Sequence, residues 1–185
     1  MDLLFETLDA ITPLSPSLRS YLAEHIDRVP FSSHTYTPYH NFRNSILYFV
    51  SSGYLGGVRL NTNGEVPLIF FSKGDFIIPS LVKQKPDFIN TLTFYSPSLL
   101  LGISLEDAKN ALHLFPETLD LFLWIIDQHI NKGNRRELLL RMSAQERFSY
   151  LQKTHPRLFM HCTSRQLAGY LNISTRQLMR FKTMK

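Results

Sequence analysis

Between Phe31 and Ser104 the chain is written in short β-branched and aromatic runs, at residues 45–50, 54–60, 66–71, 89–95 and 99–103. Turn residues separate them: Asn63-Gly64 is a strong hairpin signal, and Lys73-Gly74-Asp75 reads as a tight loop. Runs this short cannot bury themselves singly. They must pair through tight turns and close on one another, which predicts an antiparallel roll of about seven or eight strands, jelly-roll-like in its layering.

Helical spacing brackets this segment. Ser15 as cap and Pro16 at the first helical position announce a helix carrying Leu18, Tyr21, Leu22 and Ile26, which ends before Pro30. Helix returns after Ser104, with Asp107 three residues on, and a longer one is expected from near Pro116. In it Leu119, Leu123, Ile126 and Ile130 follow one another at coiled-coil spacing, the seam of a helix pair and the expected homodimer interface. Packing of that stripe onto the parent roll is the alternative, and Gly133 is a candidate bend or end of the seam. The fold class is therefore α+β: a roll with flanking helices, a long dimerisation helix and a small helical end.

Charge divides the chain. Residues 1–131 hold 8 Lys and Arg against 13 Asp and Glu, and residues 132–185 hold 12 against 2. A basic end on a mildly acidic body is the electrostatic footprint of a nucleic-acid-binding module, although a solvated basic surface would look the same. The composition, 44% hydrophobic and 12% aromatic, excludes disorder as the main state. No apolar run approaches the ~20 residues of a membrane span, and no secretory leader pattern opens the chain, so no membrane partner and a cytoplasmic setting are expected. A lone Cys162 excludes an internal disulfide, a thiolate zinc cage and an iron–sulfur cluster within one chain.

Three hydroxyl caps follow in the basic segment, each with Glu or Gln three residues on: Ser143 with Glu146, Thr163 with Gln166, Ser174 with Gln177. The last two open short helices at 164–171 and 175–182, separated by Asn172-Ile173-Ser174. Leu167, Ala168, Leu171, Ile173 and Leu178 would hold them at a steep angle, the pattern of a helix-turn-helix. The second helix, TRQLMRFK, would expose Thr175, Arg176, Gln177 and Arg180 behind Ser174. Gln matches the donor–acceptor pair of adenine in the major groove, and Arg matches the two acceptors of guanine. Arg165, Lys182 and Lys185 suit phosphates, which set register without reading sequence. Double-stranded DNA is the expected partner.

Nothing in the roll reads as a catalytic or metal centre. His34 and His40 lack the spacing that puts two imidazoles on one ion; His155, His161 and Cys162 flank Pro156 and read as structural. No Ser-His-Asp or paired-carboxylate pattern stands out, so no enzyme and no cofactor are expected.

The order of parts resembles the Crp/Fnr family of bacterial transcription regulators over essentially the whole chain. ITPLSPSLRSYL, ILYFVSSGYLGGVRLNTNGEVPLIFFSKGDFI and LLLGISLEDAKNAL look like its cyclic-nucleotide-binding roll; LLLRMSAQERFSYLQKTHPRLF and TSRQLAGYLNISTRQLMRFK look like its post-dimer and DNA-binding helices. The resemblance implies a homodimer, a pseudo-palindromic operator and an effector pocket in the roll around Gly74, Asp75, Phe76, Ile77, Ile78, Pro79, Phe88 and Ile89. There the chain departs. Nucleotide-binding members carry a Gly-Glu pair where this chain has Ile78 and Pro79, and an Arg-Ser pair where it has Phe88 and Ile89. Burying a cyclic phosphate without a cation is very unfavourable, so cyclic AMP is not the expected effector, and any small-molecule effector is unidentified. In the reading helix the family's early acidic residue is Arg176 here, while Arg180 matches its guanine-contacting Arg; no wing hairpin follows in this sequence.

These readings divide the chain into a roll-type sensor at 1–115, a dimerisation helix and hinge at 116–142, and a wingless helix-turn-helix at 143–185. The rival expectation is a ligand-sensing or protein-binding roll whose helix-turn-helix no longer reads DNA.

Overall fold

The computed structural model describes residues 1–38, 42, 45–61, 64–79 and 91–183. Helix α1 (Asp2–Asp9) comes before the one that Ser15 announces. It has no side-chain cap and buries only Leu4 and Leu8, so nothing at its start advertises it. In α2 (Pro16–His25) the Ser15 hydroxyl accepts the Leu18 N–H, as the sequence requires. The chain then turns directly into a strand.

Eight strands follow among the described residues: β1 (Ile26–Phe31), β2 (Tyr36–Pro38), β3 (Leu47–Ser52), β4 (Tyr54–Asn61), β5 (Gly64–Ser72), β6 (Phe76–Ile77), β7 (Thr91–Phe94) and β8 (Ser98–Ile103). They pair antiparallel in two sheets ordered β1-β8-β3-β6 and β2-β7-β4-β5. Pro30 is tolerated because β1 is an edge strand, where a missing N–H leaves no ladder bond unmade. The last pair of the β4–β5 hairpin is Asn61 with Gly64, so the connection is 62–63, one residue earlier than Asn63-Gly64. Gly74 sits at φ +92 between β5 and β6, a backbone state that favours glycine, and the Asp75 carboxylate accepts the Ser72 N–H at 2.6 Å to close the turn.

Alternation along the strands then decides three cores. Between the sheets lie Phe42, Tyr48, Val50, Leu55, Ile69, Phe71, Ile77, Leu92, Phe94 and Leu100. The rings of Phe31 and Phe94 stack at 4.0 Å there, so the roll's interior is filled by the chain's own side chains. The outer face of β3, β6 and β8 presents Phe49, Phe76, Ile78, Leu101 and Ile103 to α1, α2 and the helices that follow the roll. From the opposite sheet Phe70 and Tyr95 face the C-terminal helices.

Those following helices are α3 (Leu105–Leu114) and α4 (Thr118–Leu140). Ser104 caps α3 by accepting the Asp107 N–H, and α4 starts just past Pro116. Gly133 does not end α4, and a Cβ there would meet nothing. Then come α5 (Ala144–Thr154), α6 (Leu158–His161), α7 (Ser164–Leu171) and α8 (Thr175–Thr183). Among the described residues no helix is long and apolar enough to cross a membrane.

Candidate nucleic-acid interface

Three helices of the C-terminal body, α5, α7 and α8, start where a hydroxyl cap predicts, whereas the short α6 has no side-chain cap. Ser143 and Glu146, and Thr163 and Gln166, form reciprocal capping boxes, and Ser174 and Gln177 exchange the same pair of bonds at 3.0 and 3.1 Å. Between α7 and α8, Asn172 takes the left-handed conformation at φ 51, which turns the chain in the few residues available. Leu167, Ala168, Leu171 and Leu178 are buried together with Phe148, Leu151, Leu158 and Phe181, and Ile173 packs at their edge. This is a helix-turn-helix, and its apolar cluster also takes in Leu139 of α4 and Phe70 and Tyr95 of the roll.

Thr175, Arg176, Gln177 and Arg180 are exposed on α8, and Ser174 is exposed at its start. The Arg180 guanidinium stands 5.6 Å from the Phe181 ring centroid. Two side chains have local duties that the sequence does not announce. The Gln177 amide oxygen accepts the Ser174 N–H, which leaves its amide nitrogen for another acceptor. Lys182 is half-buried, with its ammonium 3.4 Å from the Ser164 hydroxyl and 5.8 Å from the Phe159 ring, so it is less available to a phosphate than Arg176. Arg165 is exposed on α7, and Lys185 lies outside the described residues.

Along α4 the four seam residues part company. Leu119, Leu123 and Ile130 are more than half exposed, whereas Ile126 packs against the apolar cluster that α4 shares with the roll. The residues that hold α4 to the roll are Leu121 and Ile125, on the neighbouring face. That face continues through His129, Lys132, Arg136 and Leu139 at helical spacing and changes there from apolar to basic.

Lys132 is the residue that sequence reasoning missed. Its ammonium pairs with Asp75 at 2.5 Å and lies 5.3 Å from the Phe71 ring centroid, with its side chain 17% exposed. Burial lowers the Lys132 pKa, and Asp75 opposes that shift. Burial likewise lowers the pKa of His129, against a hydrogen bond to the Phe76 backbone, and that of His155. The signal lay in helical spacing carried through polar residues, which a search for apolar stripes passes over.

The residues around Gly74 do not share one pocket. Ile77 is fully buried inside the roll, while Phe76 and Ile78 point to the opposite side, against α1 and α4. Asp75 and Phe76 line a small cleft with Gln128, His129, Lys132 and Arg135, and Pro79 is buried. Phe88 and Ile89 lie outside the described residues.

Where the C-terminal body meets the roll, Gln166 of α7 donates to Glu65 at 2.9 Å, and Glu65 also accepts from the Thr93 hydroxyl. Tyr170 packs on Phe70 at 4.6 Å, and His161 stacks on Tyr54 at 5.2 Å. The Tyr95 hydroxyl is buried there with no hydrogen-bond partner among the described residues. Burial pushes the Cys162 thiol up to about 12, so it stays neutral and behaves as a packing residue. Among the described residues no group of three or more His, Cys, Asp or Glu is placed to hold a metal ion.

The succession of an antiparallel roll, a long helix and a terminal helix-turn-helix is shared with known structures. A cyclic-nucleotide-binding-domain protein from Listeria monocytogenes EGD-e matches with a TM-score of 0.68 at 16% identity, over 98% of this chain and 89% of that one. FixK2 from Bradyrhizobium japonicum matches with a TM-score of 0.66 at 14% identity, over 85% and 83% of the two chains. A structure assigned to the Crp/Fnr family of transcriptional regulators, from Eubacterium rectale ATCC 33656, gives 0.65 at 16% identity, over 91% and 82%. At such identities the fold is what is shared. No family model matches the sequence, and no curated protein matches it.

Proposed function

We propose that this chain is a dimeric, sequence-specific DNA-binding transcription regulator of Crp/Fnr type in which the roll no longer offers a nucleotide pocket. The observation that carries the reading is α8. Its exposed face collects Thr175, Arg176, Gln177 and Arg180 on a helix anchored from behind by Leu178 and Phe181, so base-reading side chains stand on a rigid support. Residues 1–115 are the sensor-type roll, 116–142 the dimerisation helix and hinge, and 143–185 the reading body. A pair of α8 helices related by two-fold symmetry would recognise a pseudo-palindromic operator. The aromatic filling of the roll supports an effector other than a cyclic nucleotide, as do Ile78 and Pro79 where nucleotide-binding members carry a Gly-Glu pair whose Glu grips the ribose.

Selection from a random duplex library tests the reading. A symmetric motif should emerge, and Arg180→Ala should relax preference at one base position at a cost of about 1–3 kcal/mol per half-site. The rival, a roll module that no longer reads DNA, draws on the inward lean of Lys182. It takes over if no symmetric motif is enriched even at low salt.

The dimer rests on the Leu119, Leu123 and Ile130 stripe, which a monomer would leave in water. Leu123→Asp is the clean test, because Leu123 is 56% exposed and an Asp there leaves the fold intact, whereas Ile126 also serves the core. Equilibrium sedimentation should show a dimer for the parent chain and a monomer for the variant. A parent chain that is monomeric at tens of micromolar sinks the dimer.

A further inference from the structure

The outer face of β3, β6 and β8 is not completely filled by the helices laid across it. An apolar cavity of about 140 Å³ remains between that face, α1, α3 and α4, and it opens beside the exposed Lys109, so a hydrocarbon chain can enter it from that side. Leu8, Phe49, Phe76, Leu101, Ala111 and Phe122 are among its walls. Among the described residues that line it, the one hydroxyl, that of Thr118, is spent on the Phe115 carbonyl. Lys109 stands at its rim on α3, exposed, and forms no ion pair among the described residues.

We propose that this cavity binds a free medium-chain fatty acid, its hydrocarbon tail against Phe49, Phe76 and Leu101 and its carboxylate at Lys109. The chemistry follows from the lining. A wall without available hydrogen-bond partners is dry and favours hydrocarbon over any polar ligand, since each polar group entering it would lose its water bonds unrepaid. A single cation at the opening selects an anionic end over a neutral one and fixes which end of the ligand stays outside. The site is separate from the filled interior of the roll, because it lies on the other side of the sheet. It also abuts α4 through Leu121, Phe122 and Ile125, on the side of the helix away from Leu119 and Leu123. If the dimeric regulator reading holds, a bound chain would brace the dimerisation helix from behind.

The single Trp of the chain reports on this site, for Trp124 meets the Phe76 ring edge-on at 6.3 Å. Fluorescence titration of the full chain with decanoate, below its micellar range and at neutral pH, should give a saturable change. Decanol should bind more weakly, and butyrate should give none. Lys109→Gln, an exposed substitution, should weaken decanoate five- to tenfold and leave decanol unchanged. Ala111→Phe should abolish both by filling the space, and its circular dichroism melt shows whether it is folded. If neither decanoate nor decanol saturates, or if Lys109→Gln leaves decanoate as tight as before, the proposal is overturned. The titration contains no DNA, so its failure and a failure of DNA reading are separate results.

Discussion

The two outer faces of the roll are covered in opposite ways. On β3, β6 and β8, helices α1 to α4 meet the sheet through Leu, Ile and Phe, and the imperfection left behind is an apolar void. On the other sheet, α7 meets β5 through a mixture. The Phe70–Tyr170 contact is flanked by the Glu65–Gln166 hydrogen bond, and the buried Tyr95 hydroxyl has no partner among the described residues. Apolar covering is costly to separate, because every side chain exposed on parting loses about 1.5–3 kcal/mol of burial. A polar seam exchanges its bonds for water at little net cost, and an orphaned hydroxyl gains from the exchange. The first interface is therefore held more firmly than the second, and the two should separate at different costs.

The largest expected effect is on the apolar side. Phe49→Ala should destabilise the whole chain by about 3–5 kcal/mol in urea unfolding, since Phe49 is 2% exposed and packs on Phe76 at 5.0 Å. The matching deletion on the other face, Phe70→Ala, should instead speed amide exchange in α7 and α8 while β3 and β8 stay protected. Uniform exchange after both substitutions would mean that the two faces do not differ in kind.

A smaller effect of opposite sign is expected from Tyr95→Phe. Removing the orphaned hydroxyl keeps the ring against Phe70 and over Gly56 and ends an unpaid desolvation, so stability should rise by about 1 kcal/mol. A loss in thermal unfolding would show that the hydroxyl has a partner in solution.

The gentlest effect is the slope of stability with pH. His129 and His155 are held below the ordinary histidine pKa chiefly by burial, so the unfolded chain binds more protons than the folded one as pH falls through that range. Stability should be full above about pH 7 and decline on acidification until the lowered values are passed. His155→Gln should flatten the decline measured by urea unfolding between pH 7 and 5. An unchanged slope would move the cause elsewhere.

Much of this was legible in the residues. Ser15, Ser104, Ser143, Thr163 and Ser174 fixed five helix starts, because a cap is a bond between near neighbours and needs nothing from the rest of the fold. The five strand runs likewise appear within a few residues of their expected bounds. What escaped was of two kinds. Helix α1 has no cap, and β1, β2 and β6 are marginal segments recruited by partners distant in sequence, as Tyr36 with Thr93 or Phe76 with Phe49. Gln177 and Lys182 were legible as residue types for DNA, but their engagement with Ser174 and Ser164 was not.

By itself, then, the sequence determined the periodicities, the caps, the turn at Asn172 and the division of charge, all of which act over a few residues or by composition. Only the tertiary structure decided that Lys132 would meet Asp75 and Gln166 would meet Glu65, 101 positions away in sequence. It also decided that Ile126 would leave the seam for the core, and that the cover on one sheet would stop short of filling it. Those outcomes depend on how bulky side chains from separate elements tile a shared surface, and a close-packed interior settles that only when all of its parts are present at once.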